Sequence, residues 1–332
     1  MSQKRPAANE SKSALDLAAQ TTPDASTPLV DSNHRAGFVA IIGRPNVGKS
    51  TLLNAILGQK IAITAPKPQT TRNRLLGILT QPQAQIMFMD TPGIHRPRHK
   101  LGEYMLDQAV TALPDADVIL WIVDISEPPF AEDEQIAQLL TQKAAGRPVV
   151  MGCNKADLVD EAALQRGQAA FSALMTPTLM VTLAAASGRG LDELIAALQP
   201  LLPLSPPYYP ADQVTDVQER FIAAELVREA VIHHLREEVP HAIAVVVEEF
   251  KTRGANMTYI SATVYVERES QKAIVLGQGG RMLKQIGQQA RQGIEEMLET
   301  KVYLELWVKV VPHWRRELAQ LRRFGYAADA KG

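Results

Sequence analysis

Short apolar runs alternate with amphipathic stretches along the first two thirds of the chain. The first run, GFVAIIG beginning at Gly37, has the length of a buried strand and ends in a glycine. Further strand-like runs follow at Arg74–Thr80, Gln85–Asp90, Asp117–Asp124, Pro148–Cys153 and Thr178–Leu183. Helical stretches lie between most of them, at Leu101–Ala112, Glu132–Ala144, Glu161–Ala173 and Gly190–Leu201. Strands that alternate with helices predict an α/β fold, with a mostly parallel sheet covered by helices on both faces.

A segment dense in proline, LLPLSPPYYPADQVTD, interrupts this pattern, because it can continue neither a helix nor the interior of a sheet. After it, the pattern predicts a helix, two strands, a short apolar run, a glycine loop, a helix and a last strand. Their bounds are about Val217–Arg236, Ala242–Phe250, Met257–Glu267, Lys272–Leu276, a helix end near Glu299, and 301–310. This order is typical of a small α+β unit.

The predicted organisation has a disordered N-terminal extension, an α/β domain, a proline-rich linker, the α+β domain and a C-terminal tail. The corresponding ranges are 1–35, 36–202, 203–215, 216–312 and 313–332.

The composition limits the classes of protein to which this chain can belong. Its 332 residues carry 35 Lys and Arg against 36 Asp and Glu, so any nucleic-acid site must be a local basic patch. One cysteine, Cys153, excludes an intramolecular disulfide framework or a cysteine-rich zinc site and favours a reducing, cytoplasmic compartment. No apolar run reaches the roughly 18 residues of a membrane span, and the N-terminal segment lacks the apolar core of a secretory signal.

The first chemical motif, GRPNVGKS, fits the phosphate-loop pattern G-x-x-x-x-G-K-S between a predicted strand and a predicted helix. Glycines there let backbone amides close around a phosphate, and the helix N-terminus adds partial positive charge. Lys49 would neutralise the β- and γ-phosphates, and the Ser50 hydroxyl would bind Mg²⁺. The predicted phosphate-binding residues are Gly43, Arg44, Pro45, Asn46, Val47, Gly48, Lys49, Ser50 and Thr51.

A second polar loop follows the apolar strand IMFMD, which ends in Asp90. A carboxylate at the carboxyl end of a parallel strand faces the ligand crevice, so Asp90 can hold Mg²⁺ through a water. The segment ITAPKPQTTRNR would add a threonine that senses the γ-phosphate, and we favour Thr71 over Thr70; a passive surface loop is the alternative. The predicted Mg²⁺ ligands are Ser50, Thr71 and Asp90, and the predicted γ-phosphate sensors are Thr71, Asp90, Thr91, Pro92 and Gly93.

A third motif, NKAD after the apolar run VVMGC, separates a guanine site from an adenine site. Asp157 can accept hydrogen bonds from N1–H and the exocyclic amine of guanine, whereas adenine lacks that amine. The Lys155 stem can cover the base. The alternative is that Asn154 caps a helix and that Asp157 is simply solvated.

In this order the motifs resemble those of the translation-factor-related GTPases, and from about Gly37 to Tyr326 the chain is similar to the Era-like family. The resemblance rests on GRPNVGKSTLLN, QTTR, DTPG, NKAD, RFIAAELVREA, GQGG and LELWVKV. It implies a GTPase domain joined to a type II KH domain, which binds the 3′ end of small-subunit ribosomal RNA and assists maturation of that subunit.

The chain departs from the family pattern in two places. Ala184 and Ala185 stand where the guanine loop usually has Ser-Ala, so the Ala185 amide can contact the guanine carbonyl but the serine hydroxyl is missing. Gln278 and Gly279 stand where KH loops often carry a basic residue. The resemblance therefore predicts a guanine site that includes Asn154, Lys155, Asp157, Ala184 and Ala185.

The KH resemblance directs attention to the loop GQGG, since such loops bring the chain close to a nucleic-acid backbone beside a groove for unpaired bases. The surrounding segment 270–294 has basic residues and no acidic ones. The predicted RNA-binding residues are Lys272, Gly277, Gln278, Gly279, Gly280, Arg281, Lys284 and Arg291. The candidates for the groove wall are Ile274, Val275, Leu276 and Ile286, with core packing expected for at least half of them. We expect Trp307 in the core, and for Trp314 base stacking and core packing stay equally open.

The position that many small GTPases give to a water-orienting glutamine is Ile94 here, so we expect slow intrinsic hydrolysis. Asn46 resembles a phosphate-loop asparagine that helps to hold potassium in related GTPases, which leads to the hypothesis that K⁺ stimulates hydrolysis. A nearby basic cluster could contact RNA phosphate, although a solvated loop is the stronger interpretation. The cluster comprises His95, Arg96, Arg98, His99 and Lys100.

The leading prediction is thus a GTP-hydrolysing, RNA-binding switch that acts on the small ribosomal subunit as a monomer. A small-molecule kinase is disfavoured by NKAD. A passive RNA-binding module with a regulatory nucleotide site stays open. A peripheral contact with the inner face of the cell membrane is conceivable, but the sequence shows no clear amphipathic anchor.

Overall fold

The computed structural model describes residues 33–326 apart from 66, 68 and 255. Its first part is built on a sheet of strands β1 (Arg35–Ile42), β2 (Leu75–Gln81), β3 (Ala84–Asp90), β4 (Val118–Asp124), β5 (Val149–Asn154) and β6 (Leu179–Thr182). The strand order is β2-β3-β1-β4-β5-β6, and β2 runs antiparallel to β3 while the other described pairings are parallel. The prediction of a mostly parallel sheet is confirmed.

Helices cover both faces of this sheet, as predicted. They are α1 (Lys49–Leu57), α2 (Lys100–Asp115), α3 (Ala131–Lys143), α4 (Glu161–Leu174) and α5 (Leu191–Leu198). Leu52 of α1 and Leu198 of α5 pack on one face, and Ala109 of α2 and Phe171 of α4 pack on the other. Because both faces are covered, β4 is buried along its whole length and reads as a continuous apolar run.

The second part is a smaller α+β unit. It contains α6 (Glu219–His234), β7 (Ala244–Thr252), β8 (Met257–Val266), α7 (Glu269–Leu276), α8 (Arg281–Leu298), β9 (Lys301–Val310) and α9 (Leu318–Arg323). The sheet order is β7-β8-β9, with β7 antiparallel and β9 parallel to β8, so α7 and α8 form the crossover that a parallel pair requires. Apolar side chains of α6 and α8 pack with the inner face of this sheet.

The proline-rich linker lies against β3 and β2 of the first sheet. The Gln85 side chain accepts hydrogen bonds from the amides of Tyr208 (2.7 Å) and Tyr209 (2.9 Å) and donates to the Tyr209 carbonyl oxygen. Further along, the Thr215 hydroxyl donates to the carbonyl oxygen of Leu76 on β2. Hydrogen bonds thus hold a segment whose prolines leave few amide donors of its own.

The segment predicted as a C-terminal tail, 313–332, folds back onto the small sheet as far as the structure describes it, to Tyr326. A helical turn at Trp314–Arg316 and then α9 place four apolar side chains in the core: Trp314, Leu321, Phe324 and Tyr326. The Trp314 indole donates to the Ala242 carbonyl oxygen at 2.9 Å. Residues 327–332 and most of the predicted disordered extension, 1–32, lie outside the described residues.

Within the part of the chain that the structure describes, no helix combines the length and the apolar character needed to cross a membrane.

Candidate nucleotide site and RNA interface

The phosphate loop connects β1 to α1 and depends on two glycines. A Cβ on Gly43 would lie 2.5 Å from the Ile122 carbonyl oxygen. Gly48 has φ +98°, and a Cβ there would lie 2.3 Å from the Asn154 amide nitrogen. Larger residues are therefore excluded at both positions, and the loop carries its amides around a cavity of about 710 Å³.

Lys49 lies beneath this loop. Its Nζ donates to the carbonyl oxygens of Gly43 (3.1 Å) and Arg44 (2.9 Å). Burial lowers the pKa of Lys49 to about 8, although the carboxylate of Asp90 opposes that shift. An anionic phosphate in the cavity would counter the burial and favour the charged ammonium.

Ser50, Thr71 and Asp90 bring three oxygen atoms together at one side of the cavity. The Ser50 hydroxyl donates to Asp90 Oδ2 at 2.6 Å and lies 2.8 Å from the Thr71 hydroxyl. Thr70 instead donates to the carbonyl oxygen of Lys67, so Thr71 is the threonine that reaches this site.

The same three residues have the oxygen ligands and the buried negative charge that suit a hard divalent cation. Asp90 is fully buried, its Oδ1 has no hydrogen-bond partner among the described residues, and burial raises the pKa of its carboxyl to about 6. A buried carboxylate with two hydroxyls beside it offers the oxygen ligands that Mg²⁺ prefers. These residues therefore fit the ion that a nucleoside triphosphate would bring.

The loop after β3 packs directly against the phosphate loop. A Cβ on Gly93 would lie 2.6 Å from the backbone nitrogen of Pro45, and the Ile94 amide donates to the Gly43 carbonyl oxygen. The Ile94 side chain is buried in the core, so it cannot orient a water molecule by hydrogen bonding. The next residue, His95, accepts from the Gln69 side-chain amide at 2.8 Å and donates to the Gly93 carbonyl oxygen at 3.0 Å.

Lys155 lines the cavity, and beside it the buried Asn154 connects three loops and does not cap a helix. Its side-chain amide donates to the Val47 carbonyl oxygen (2.7 Å), and its Oδ1 accepts from the Ala185 amide (2.9 Å). The Ala185 amide is therefore already engaged by Asn154. Asp157 is exposed and makes no hydrogen bond or ion pair with the described residues, which suits a carboxylate that receives a ligand.

The loop that carries Thr71 is also held by the second domain, which the sequence alone did not indicate. Glu229 on α6 accepts from the Thr64 amide at 2.8 Å and pairs with Lys60 at 2.5 Å. Arg228, fully buried and paired with Glu225, donates to the Thr70 carbonyl oxygen. No local sequence signal predicts these contacts, because the partners are more than 150 positions apart.

Arg72 anchors the end of this loop in the second domain. Its guanidinium is fully buried, donates to the Ile243 carbonyl oxygen at 2.6 Å and lies 3.3 Å from the Tyr326 hydroxyl. The same group lies over the rings of Trp314 and Tyr326, at 5.8 and 5.6 Å from their centroids. Three consecutive residues, Thr70 to Arg72, thus contact Arg228, Ser50 and the C-terminal segment in turn.

The glycine loop of the second domain opens to solvent at the start of α8. Gly277, Gly279 and Gly280 all have positive φ. A Cβ on Gly277 would lie 2.6 Å from Met282 Cβ, whereas Gly279 and Gly280 have open space around them. Of the predicted basic residues beside the loop, Arg281, Lys284 and Arg291 are exposed and Lys272 is half-buried.

Of the apolar residues beside this loop, Val275 and Ile286 are in the core. Ile274 is 49% exposed, so it is available to line a groove, and Leu276 is half-buried.

The prediction that Trp307 is buried was wrong, and of the two alternatives for Trp314 the structure shows core packing. Trp307 is 54% exposed, because the odd-numbered positions of β9 point to the outer face of the small sheet. The signal was present in the alternation of β9, whose even-numbered positions are aliphatic. Trp314 is fully buried and belongs to the core.

Four of the five residues of the basic cluster after Gly93 line a second cavity of about 1150 Å³ beside the nucleotide cavity; the fifth, Lys100, does not. Arg96 and Arg98 are exposed there. His99 instead accepts from the Gly102 amide and caps α2, and burial lowers the pKa of its ring.

Comparison with known families divides the chain in the same way as the fold. Residues 38–155 match the family described as 50S ribosome-binding GTPase, and residues 238–315 match the KH domain family.

Full-length relatives match both parts at once. The chain is 47% identical to GTPase Era of Carboxydothermus hydrogenoformans, over 89% of this chain and 98% of that protein. It is 49% identical to GTPase Era of Geotalea uraniireducens, over 90% of this chain and all of that protein.

Solved structures agree with these relatives. The chain matches an Era variant from Aquifex aeolicus bound to GDP·AlF4⁻ with a TM-score of 0.84 and 42% identity, over 89% of this chain and 100% of that chain. It also matches Era in complex with MgGDPNP and nucleotides 1506–1542 of 16S ribosomal RNA, with a TM-score of 0.83, 42% identity and the same coverage. The chain therefore belongs to the Era family of GTPases and joins a GTP-binding and GTP-hydrolysing domain to a KH domain.

Proposed function

We propose that this GTPase binds the 3′ region of small-subunit ribosomal RNA through its KH domain and assists maturation of the small subunit. The RNA in the Era complex with nucleotides 1506–1542 of 16S ribosomal RNA supports this target. The family description that names the 50S subunit matches only residues 38–155, in the GTPase domain. The small-subunit RNA is the better supported target, because the Era complex that contains it matches the KH domain as well.

In this proposal the phosphate loop binds the phosphates and Lys49 neutralises their charge. Ser50, Thr71 and Asp90 would hold Mg²⁺, which when bound neutralises negative charge on the β- and γ-phosphates. The exposed carboxylate of Asp157 receives the N–H groups of guanine, while Asn154 positions the loops around it. Thr71 and the Gly93 amide respond to the γ-phosphate.

Hydrolysis is proposed to be slow without a partner, because the buried Ile94 side chain provides no hydrogen bond for the attacking water. Asn46, with φ +64° in the phosphate loop, is the proposed contact for K⁺. Equal hydrolysis rates in potassium and sodium buffers would remove the potassium part of the proposal.

The contacts of Thr70, Thr71 and Arg72 support a switch in which the bound nucleotide changes how the KH domain is held. Thr71 contacts Ser50 at the proposed Mg²⁺ site, and its two neighbours contact Arg228 and Ile243 of the second domain. A change at Thr71 on hydrolysis therefore changes the backbone that the KH domain holds.

The test is GTP hydrolysis by the whole chain in potassium buffer, with and without an RNA that copies the 3′ region. Gly279→Asp adds a negative charge at a position that is open and left-handed, and Gly279→Asn is the matched neutral control. We expect RNA to stimulate wild type and Gly279→Asn, and Gly279→Asp to lose RNA binding and stimulation while it keeps its basal rate.

If RNA binds but leaves hydrolysis unchanged, and its affinity is equal with GDP and a nonhydrolysable GTP analogue, the switch is refuted. Tight GTP binding with no turnover even on ribosomal subunits would support the passive RNA-binding alternative.

The domain bounds 36–202, 203–215 and 216–312 and the peripheral membrane contact stay predictions.

A further inference from the structure

Aromatic side chains are exposed on the outer face of the small sheet, on the side of β9 away from the GQGG loop. Tyr303 is 60% exposed and Trp307 is 54% exposed, both on β9. Tyr259, the partner of Tyr303 on β8, stacks on it with ring centroids 5.9 Å apart and planes 19° apart. We name the outer aromatic face for these three residues together with Arg253, Lys301 and Lys309.

This face is bare because the C-terminal segment covers only the other end of the sheet. Tyr265 on β8 is buried under Phe324, whose ring lies 4.6 Å away. Toward the start of β8 and β9 the Tyr303 ring is exposed, and Tyr259 is half-buried between the Tyr303 ring and the Arg253 guanidinium. Exposed aromatic side chains grouped on a rigid strand mark an interaction surface.

The charges of the face suit a polyanion. Glu249 pairs with Lys251 at 2.6 Å, so these two charges offset each other. Glu305 accepts from the Tyr259 hydroxyl at 2.6 Å but keeps its negative charge, because the donor is neutral, and so does the exposed Glu248, which accepts from the Tyr265 hydroxyl. Arg253 lies 4.1 Å from the centroid of the Tyr259 ring.

The remaining cations, Lys301 and Lys309, are exposed and form no ion pair with any described residue. Arg253, Lys301 and Lys309 thus stand against Glu305 and Glu248, and the net charge that is left for a partner is positive.

We propose that the outer aromatic face is a second RNA contact, on which unpaired bases stack while Lys301 and Lys309 contact phosphates. Base stacking on aromatic rings beside cations is the usual way in which proteins hold single-stranded RNA. The inference rests on the proposed function, because it requires RNA at the KH domain.

The position of β9 makes the two contacts continuous. It is an edge strand of its sheet, and α7 and α8 lie on its inner side, where Val302 and Val308 enter the core. The GQGG loop begins α8, so the loop and the outer aromatic face lie on the two sides of one strand. Gly287 of α8 lies against Leu306, so the loop at the start of α8 lies toward the later residues of β9. An RNA strand that leaves the loop would cross β9 near Trp307 and Lys309, and Tyr303 lies four residues further along the strand.

A second copy of the chain fits this face less well. Glu305 separates Tyr303 from Trp307 along the strand, and lysines stand at both ends, so the apolar surface is not contiguous. Self-association would also bring the unpaired lysines of two copies together.

Trp307 reports its own surroundings in the intact protein. Of the three tryptophans in the sequence, Trp121 and Trp314 are fully buried and Trp307 is exposed. The experiment adds RNA copying the 3′ region to the whole chain and records tryptophan fluorescence and RNA affinity.

We expect RNA to quench the fluorescence of wild type. Trp307→Leu, which keeps an apolar side chain but removes the ring, should weaken RNA binding about 5- to 100-fold, as expected for the loss of one stacked base. Lys309→Gln should reduce the salt slope of binding by about one. Tyr208→Ala is the matched control, since Tyr208 is equally exposed at 55% but lies in the linker.

The outcomes separate this inference from the proposed function. If Gly279→Asp weakens RNA binding while Trp307→Leu and Lys309→Gln bind like wild type, the outer aromatic face is not an RNA contact and the proposed function stands. If none of these variants weakens binding, both fail. Quenching that depends on protein concentration without RNA would identify a second copy as the occupant and overturn the inference.

Discussion

At Asp90, the ligand-free fold favours a neutral carboxyl group, whereas Mg²⁺ binding requires the carboxylate. The carboxyl is fully buried, and burial raises its pKa to about 6 even though Ser50 and Lys49 favour the charged form. Above that pH the ligand-free protein holds a poorly compensated charge, and protonation relieves it as the pH falls from about 6 toward the unfolded value of 3.8.

Asp90→Asn is therefore expected to raise the free energy of unfolding of the ligand-free protein at neutral pH, by up to about 3 kcal/mol, and to abolish stabilisation by Mg²⁺ and GTP. The gain should fade as the pH falls through 6. Denaturant unfolding across this pH range, with and without ligand, measures both effects. A variant that is less stable than wild type at every pH would show that the hydrogen bond from Ser50 outweighs the burial.

At the scale of single elements, β9 and the turn after it give two tryptophans opposite roles. Trp307 stands on the outer face of a half-covered strand, whereas Trp314 lies under α9 with its indole donating to Ala242. The apolar character of the strand suggested a buried Trp307. The alternation of β9 was the better guide, since a sheet with helices on one side buries every second residue.

This assignment predicts different stability effects for the same substitution. Trp314→Ala should destabilise the protein by about 3–5 kcal/mol, because it empties a fully buried site and leaves the Ala242 carbonyl without its donor. Trp307→Ala should cost less than about 1 kcal/mol. Chemical denaturation of both variants makes the comparison, and equal losses would contradict a buried Trp314 and an exposed Trp307.

At the scale of the whole molecule, Arg72 is one of the side chains that connect the two domains, and its guanidinium is buried between them. Its guanidinium is the only described side chain of the loop that contacts Ile243, Tyr326 and Trp314 together. Arg74, two positions further on, is instead half exposed and pairs with Asp115 in its own domain at 3.0 Å.

Arg72→Leu is expected to reduce stimulation of hydrolysis by RNA about 5- to 150-fold, which corresponds to a coupling of about 1–3 kcal/mol. Arg74→Leu, its matched control, should keep the stimulation. Single-turnover hydrolysis with saturating RNA measures the effect in both variants. Unchanged stimulation in Arg72→Leu would show that coupling between the domains runs elsewhere.

The α/β fold could be predicted from the alternation of strands and helices along the chain. The positions of the loop Gly43–Ser50, of Asp90 and of the NKAD segment could be predicted too, because each motif depends on backbone geometry within a few residues and the carboxyl ends of parallel strands meet at one edge of a sheet. Thr71 could be favoured over Thr70, but only the structure shows its hydroxyl at Ser50.

The tertiary structure alone decided which domain holds the loop of Thr71 and which face of β9 stays bare. Arg228 meets Thr70 across 158 positions, and Arg72 meets Tyr326 across 254. Burial of a charged side chain depends on what other segments bring to it, because partners must replace the water that it loses. Local spacing carries no record of such partners, so Arg72, Arg228 and the exposed ring of Trp307 took their roles only in the folded chain.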